Sequence, residues 1–128
     1  MDDKLRELLK NDRFAAFIGI ELVEMELGHA VAKMNIMENH LNGVNMIQGG
    51  VIFTLADFAF AAAANASGHV TVGINANIAY FQASKGKMLI AEAKEAAVSR
   101  KIVHYNVNVF NENKDYIAQV SFTGYKKD

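Results

Sequence analysis

Gly49-Gly50-Val51-Ile52-Phe53-Thr54-Leu55-Ala56-Asp57-Phe58-Ala59-Phe60-Ala61-Ala62-Ala63-Ala64 is the stretch on which the fold turns. Its residues are good helix formers, and apolar positions fall on every side of a helical wheel. That pattern predicts a helix enclosed by other elements rather than one lying on a surface. Asn65-Ala66-Ser67-Gly68 ends it, Gly68 suiting the left-handed turn after a helix. The stretch falls short of the ~20 residues needed to cross a bilayer and carries an acid near its centre, so a buried helix fits better than a membrane span. From Asn39 to Ser84, Asp57 is the only Asp, Glu, Lys or Arg. Burial disfavours the charged form, so an ionised carboxylate here needs compensating hydrogen bonds. Held that way it is a candidate base or nucleophile; pointed to a solvated groove or a backbone group, it is structural.

Upstream, residues 3–17 place Leu5, Leu8, Leu9, Phe14 and Phe17 at three- and four-residue spacing, an amphipathic helix expected to pack on a sheet. Residues 20–27 and 30–37 alternate on either side of Gly28-His29 and predict a β-hairpin. Glu38 to Gln48 is polar and aperiodic, a loop. Downstream, Val70, Val72, Ile74, Ala76, Ile78 and Tyr80 alternate with Thr71, Gly73, Asn75 and Asn77, which predicts a strand with one apolar face. Residues 87–98, 101–110 and 116–125 continue as strands. The class is therefore α+β, an antiparallel sheet packed against a long central helix, with an N-terminal helix. One sheet covers a helix on only part of its circumference. A second copy, related by a two-fold axis, is expected to supply the rest.

The 128 residues make one domain, residues 1–128, large enough to hold a core without disulfides or metal. There is no Cys, so thiolate metal sites and a cysteine nucleophile are out. Thirteen basic against 14 acidic side chains, a net charge of −1, leave no clustered cations for nucleic acid. Met1-Asp2-Asp3 opens acidic, with no apolar targeting segment, so a cytoplasmic protein is expected. His29, His40, His69 and His104 lack metal-ligand spacing, and no phosphate loop or nucleophile elbow is present.

Gly49 and Gly50 open the central helix, where the first N–H groups lack internal partners and can bind a carbonyl oxygen or developing oxyanion; the same pair also serves a tight loop-to-helix turn. Eight residues at 1.5 Å rise put Asp57 roughly 12 Å further along, too far for both to touch one reacting carbon. If they act together, they come from two subunits. Asn42, Asn45 and Gln48 are either donors to a polar substrate group or ordinary turn residues.

The run His40-Leu41-Asn42-Gly43, then Gln48-Gly49-Gly50-Val51-Ile52-Phe53-Thr54-Leu55-Ala56-Asp57-Phe58-Ala59-Phe60, resembles the signature of the hotdog-fold thioesterases, in particular the PaaI-like acyl-CoA branch. The resemblance implies a sheet wrapped around the long helix, a homodimer or a dimer-of-dimers tetramer, and sites at the dimer interface. It implies an acyl-CoA substrate hydrolysed to acid and coenzyme A, with no other cofactor and no metal. In that reading Asp57 activates water or attacks the thioester carbonyl, the Gly49 N–H polarises that carbonyl across the interface, Asn42 positions carbonyl or water, and Gly50 lies beside the substrate.

Two positions depart from the family pattern. Gln48 stands where His is usual and cannot act as acid or base near neutral pH, and Gly73 stands where relatives often carry Ser or Thr. For the coenzyme A end the resemblance points to Tyr80 and to Ser99, Arg100 and Lys101, with Lys85 and Lys87 in another loop; each cation is equally readable as a solvated turn residue. The departures leave a second reading open, a non-catalytic acyl-CoA binding module. A hydratase fits less well, for want of the His.

Overall fold

The structure, a computed structural model, describes residues 3–84 and 86–127. In chain order it contains α1 (Asp3–Lys10), α2 (Arg13–Ile18), β1 (Glu21–Glu26), β2 (His29–Asn35), α3 (Gly49–Asn65), β3 (Val70–Tyr80), β4 (Met88–Val98), β5 (Ile102–Asn111) and β6 (Tyr116–Lys127). A single antiparallel sheet, ordered β1-β2-β4-β5-β6-β3, curls around α3. The core lies between them, where Leu55, Phe60 and Ala59 of α3 meet Leu89, Tyr105, Val107 and Val120 of the sheet. Phe60 stacks on Phe122 at 4.6 Å and meets Tyr105 edge-on at 5.4 Å, geometry that adds to burial.

The predicted strands and the long helix are present, and two details differ from the expectation. The N-terminal helical segment breaks at Asn11-Asp12. Asp12 caps α2 by accepting from the Ala15 N–H at 3.0 Å, and a capping Asp favours a new helix start over a continuing one. Ala15 and Ile18 are then the residues of α2 that turn inward, while Phe14 and Phe17 are exposed. The side chain of Leu5, like Lys85, lies outside those described.

The second difference is in β3. Its register against β6 shifts between Gly73 and Asn75, leaving Ile74 unpaired. A bulge reverses the alternation. Thr71 and Gly73 face the core before it and Ile78 packs inward after it, while Val70, Val72 and Ile74 are 56%, 40% and 57% exposed. The expected single apolar face is thus split between two sides of the strand.

The sheet encloses α3 on most but not all of its circumference, as expected of a single sheet. Gly50 and Asp57 are exposed, with Thr54 and Ala61 half-buried between and beyond them. These positions, spaced three to four apart, form one open stripe. β3 is an edge strand of 11 residues, and its outer hydrogen-bonding side has no partner among the described residues. No helix among the described residues is long and apolar enough to cross a membrane.

Candidate functional site

The loop before α3 is built on Asn42. Its Oδ1 accepts from the Val44 N–H at 2.9 Å and the Met46 N–H at 3.1 Å, and the Asn42 N–H donates to the Met46 carbonyl at 2.7 Å. His40 anchors the same loop from inside: it is buried, and its Nδ1 accepts from the Met37 N–H. Asn42 thus serves the turn with its oxygen. Its amide NH2 stays available as a donor.

Gln48 is the N-cap of α3, and its Oε1 accepts from the Gly50 N–H at 2.5 Å. Because that contact requires the oxygen, the Gln48 amide has one orientation, with Nε2 as the outward donor. Val51 N–H donates to the Gln48 carbonyl, while the Gly49 N–H has no acceptor among the described residues. The Tyr80 hydroxyl donates to the Gly49 carbonyl at 3.0 Å, and a Cβ on Gly49 would sit only 2.9 Å from the hydroxyl oxygen and 3.1 Å from the ring. Glycine at this position is therefore a matter of close approach. Asn42, Gly49 and Tyr80 line one cavity of about 310 Å³ together with Ile47, Ile52 and Phe81.

Asp57 stands two turns away, on the open stripe. Its side chain reaches solvent on one side and is crowded by protein on the other. The crowding, and next the negative charge of Asp12, raise its pKa above the usual carboxylate value. Asp12→Asn keeps the α2 cap but removes that charge, so Asp57 should titrate lower in the variant. Titration of the Asp57 carboxyl followed by NMR in wild type and variant checks this, and an unchanged midpoint would remove the Asp12 charge as a cause.

Gly73 faces Phe60, and a Cβ there would sit 3.5 Å from the ring, an ordinary contact. Packing does not require glycine at this position. Ser99, Arg100 and Lys101 form the β4–β5 turn, with Ser99 N–H donating to the Ile102 carbonyl at 2.8 Å and Lys101 Nζ 5.9 Å from the centre of the Tyr125 ring. Lys126 joins this turn by donating from Nζ to the Ser99 carbonyl, which the sequence reading missed; the Lys126-Lys127 pair was its only signal. The turn lies at the Val70 end of the β3–β6 ladder and the Gly49 cavity at the Tyr80 end. One chain therefore separates its sites: an N–H donor pocket at one end, a basic turn at the other, and an acid between. No cluster of metal-binding side chains occurs among the described residues.

The thioesterase superfamily profile matches residues 45–118, which include Gln48, Gly49, Asp57, Tyr80 and the basic turn. Over 120 residues, 93% of this chain and 78% of the relative, the sequence is 37% identical to an Archaeoglobus fulgidus protein named provisionally as an esterase. Over 112 residues, 87% of this chain and 80% of the relative, it is 30% identical to the acyl-coenzyme A thioesterase PaaI of Escherichia coli. The E. coli PaaI structure superposes with a TM-score of 0.92 at 27% identity, covering 96% of this chain and 90% of that one. A Streptococcus mutans protein bound to acetyl CoA superposes with a TM-score of 0.82 at 25% identity, covering 87% and 90%. The chain belongs to the thioesterase superfamily, as a PaaI-like thioester hydrolase with the hotdog fold.

Proposed function

We propose that the chain hydrolyses acyl-coenzyme A thioesters to the free acid and coenzyme A, as a two-fold dimer whose sites each take residues from both protomers. The observation that carries this is the open stripe of α3. Two antiparallel copies of that stripe meeting near Thr54 bring Gly50 of one protomer opposite Asp57 of its partner, closing the roughly 12 Å gap that one helix leaves. Antiparallel pairing of the two β3 edges extends the sheet and brings the Val70 end of one strand to the Tyr80 end of the other. The partner's basic turn then approaches the Gly49 cavity. The names of two relatives, an acyl-coenzyme A thioesterase and a protein bound to acetyl CoA, fit the same substrate class.

In this arrangement the Gly49 N–H, with the Gln48 Nε2 and Asn42 Nδ2 donors nearby, polarises the thioester carbonyl and receives the charge that develops on its oxygen. Asp57 of the partner either takes the proton of an attacking water or attacks the carbonyl itself, forming an anhydride that water then opens. The thiolate of coenzyme A leaves in both routes and takes up a proton. Gln48 has no acid–base part, so its replacement of His alters positioning rather than proton transfer. Arg100 and Lys101, with Lys126, face the phosphates of coenzyme A. Free thiol released from a panel of acyl-CoA substrates is the direct test, with sedimentation of the same sample giving the oligomeric state. Turnover by a dimer or tetramer is expected, and binding across the panel with no thiol release would overturn the reading.

A further inference from the structure

A second cavity, of about 320 Å³, lies under the N-terminal helices, between α1, α2, β1 and the Phe58 side of α3. Its apolar lining is Leu9, Ala15, Ala16, Ile20, Leu22 and Phe58, of which Leu9, Ala15 and Phe58 are buried, whereas the charged residues that also line it are all exposed. It is therefore an apolar chamber with a polar rim, the form that small-molecule sites take. Its position gives it a role. Phe58 is the residue after Asp57, and Asp12, on the rim, stands close enough to Asp57 to raise its pKa. Through Phe58 the chamber thus adjoins the segment of α3 that carries the acid, and it shares no lining residue with the Gly49 cavity, about two turns back along the helix.

We propose that this chamber holds the acyl group of the substrate, taking an uncharged alkyl or aryl group, and that α1 and α2 are the elements that set acyl specificity. The inference rests on the acyl-CoA reading above. A thioester carbonyl beside Asp57 has two arms. One carries coenzyme A past the partner's Gly49 and Tyr80, and the other, the acyl arm, meets Phe58 and the chamber. An ionised acyl terminus would meet an apolar lining there and lose its hydration without a partner.

The test is the chain-length profile of kcat/KM, from acetyl-CoA upward and with phenylacetyl-CoA included. The wild-type chain should gain roughly fourfold per added methylene until the chamber is filled. Ala16 lines the chamber yet is exposed, so Ala16→Phe fills the space without entering the core. It should lower kcat/KM for longer and aryl acyl groups by tenfold or more relative to acetyl-CoA, on the order seen when a hydrophobic pocket loses a methylene or two. Leu9→Ala, which enlarges the chamber, should extend the rising part of the profile to longer chains, and decides the matter if Ala16→Phe does not fold. A flat wild-type profile, or variants that lower every substrate in equal proportion, would overturn the assignment while leaving hydrolysis intact. A wild-type chain that releases thiol from none of the panel overturns the hydrolase reading and this assignment with it.

Discussion

Asp57→Asn is expected to lower kcat by about 10²–10⁴-fold with KM changed only a few-fold, because Asn keeps the shape of the side chain but neither accepts a proton near neutral pH nor attacks a carbonyl. Thiol release measured on wild type and variant at matched pH checks it, and equal rates would remove Asp57 from the chemistry. The same substitution should raise Tm at pH 7. Crowding and the Asp12 charge raise the pKa of Asp57 in the folded chain, so the native state holds that proton more tightly than the unfolded state does. Stability from this group is therefore full below the unfolded value, ~3.9, and is lost as pH rises through the higher folded value. Asn carries no such penalty. The gain in Tm should shrink as the pH is lowered toward 4, and a gain that is flat with pH would need another cause.

Gly49→Pro should cost about 10²–10³-fold in kcat, the effect of losing one preorganised oxyanion donor. Proline suits the first helical position, and Gln48 before it already has extended backbone, φ −63° and ψ 133°, so the helix should still form. Its ring displaces Tyr80, whose hydroxyl lies 2.9 Å from the position a Cβ would take; Tyr80→Phe separates that contribution, since it breaks the Tyr80–Gly49 hydrogen bond and keeps the N–H. The decisive experiment mixes Gly49→Pro with Asp57→Asn after dissociation and reassembly. A heterodimer places both defects in one site and leaves the other intact. Half the dimers of an equal mixture are mixed, so about one quarter of wild-type activity should return. If each protomer held a complete site of its own, no activity above that of the separate variants would appear.

Much of this was readable in the sequence, for a physical reason. The Gly49–Ala64 stretch has no polar face, and Asp57 stands alone inside a long neutral span, so both the enclosed helix and its acid were visible without a structure. The separation of Gly49 from Asp57, roughly 12 Å along one helix, was legible too, because helical rise alone sets it. What escaped was the set of features decided by single contacts between distant segments. The bulge at Ile74 depends on how β3 meets β6, and a period-two pattern cannot register an extra residue. The break at Asp12 was masked by apolar residues that continue at helical spacing on either side of it. Neither the approach of Tyr80 to Gly49, 31 positions apart, nor the chamber beside Phe58 leaves a mark on local periodicity.

The long β3 edge has no strand partner among the described residues and leaves Val70, Val72 and Ile74 exposed on the single chain, so the proposed two-protomer site makes catalysis a matter of mass action. In the proposed dimer, a lone protomer holds half of each of two sites and the whole of none. Diluted below the dissociation constant of the dimer, the active species falls as the square of the protomer concentration, so rate per chain falls with it. The enzyme is then switched by its own abundance, and a substrate bridging both protomers tightens their association by the same free energy with which the dimer binds it.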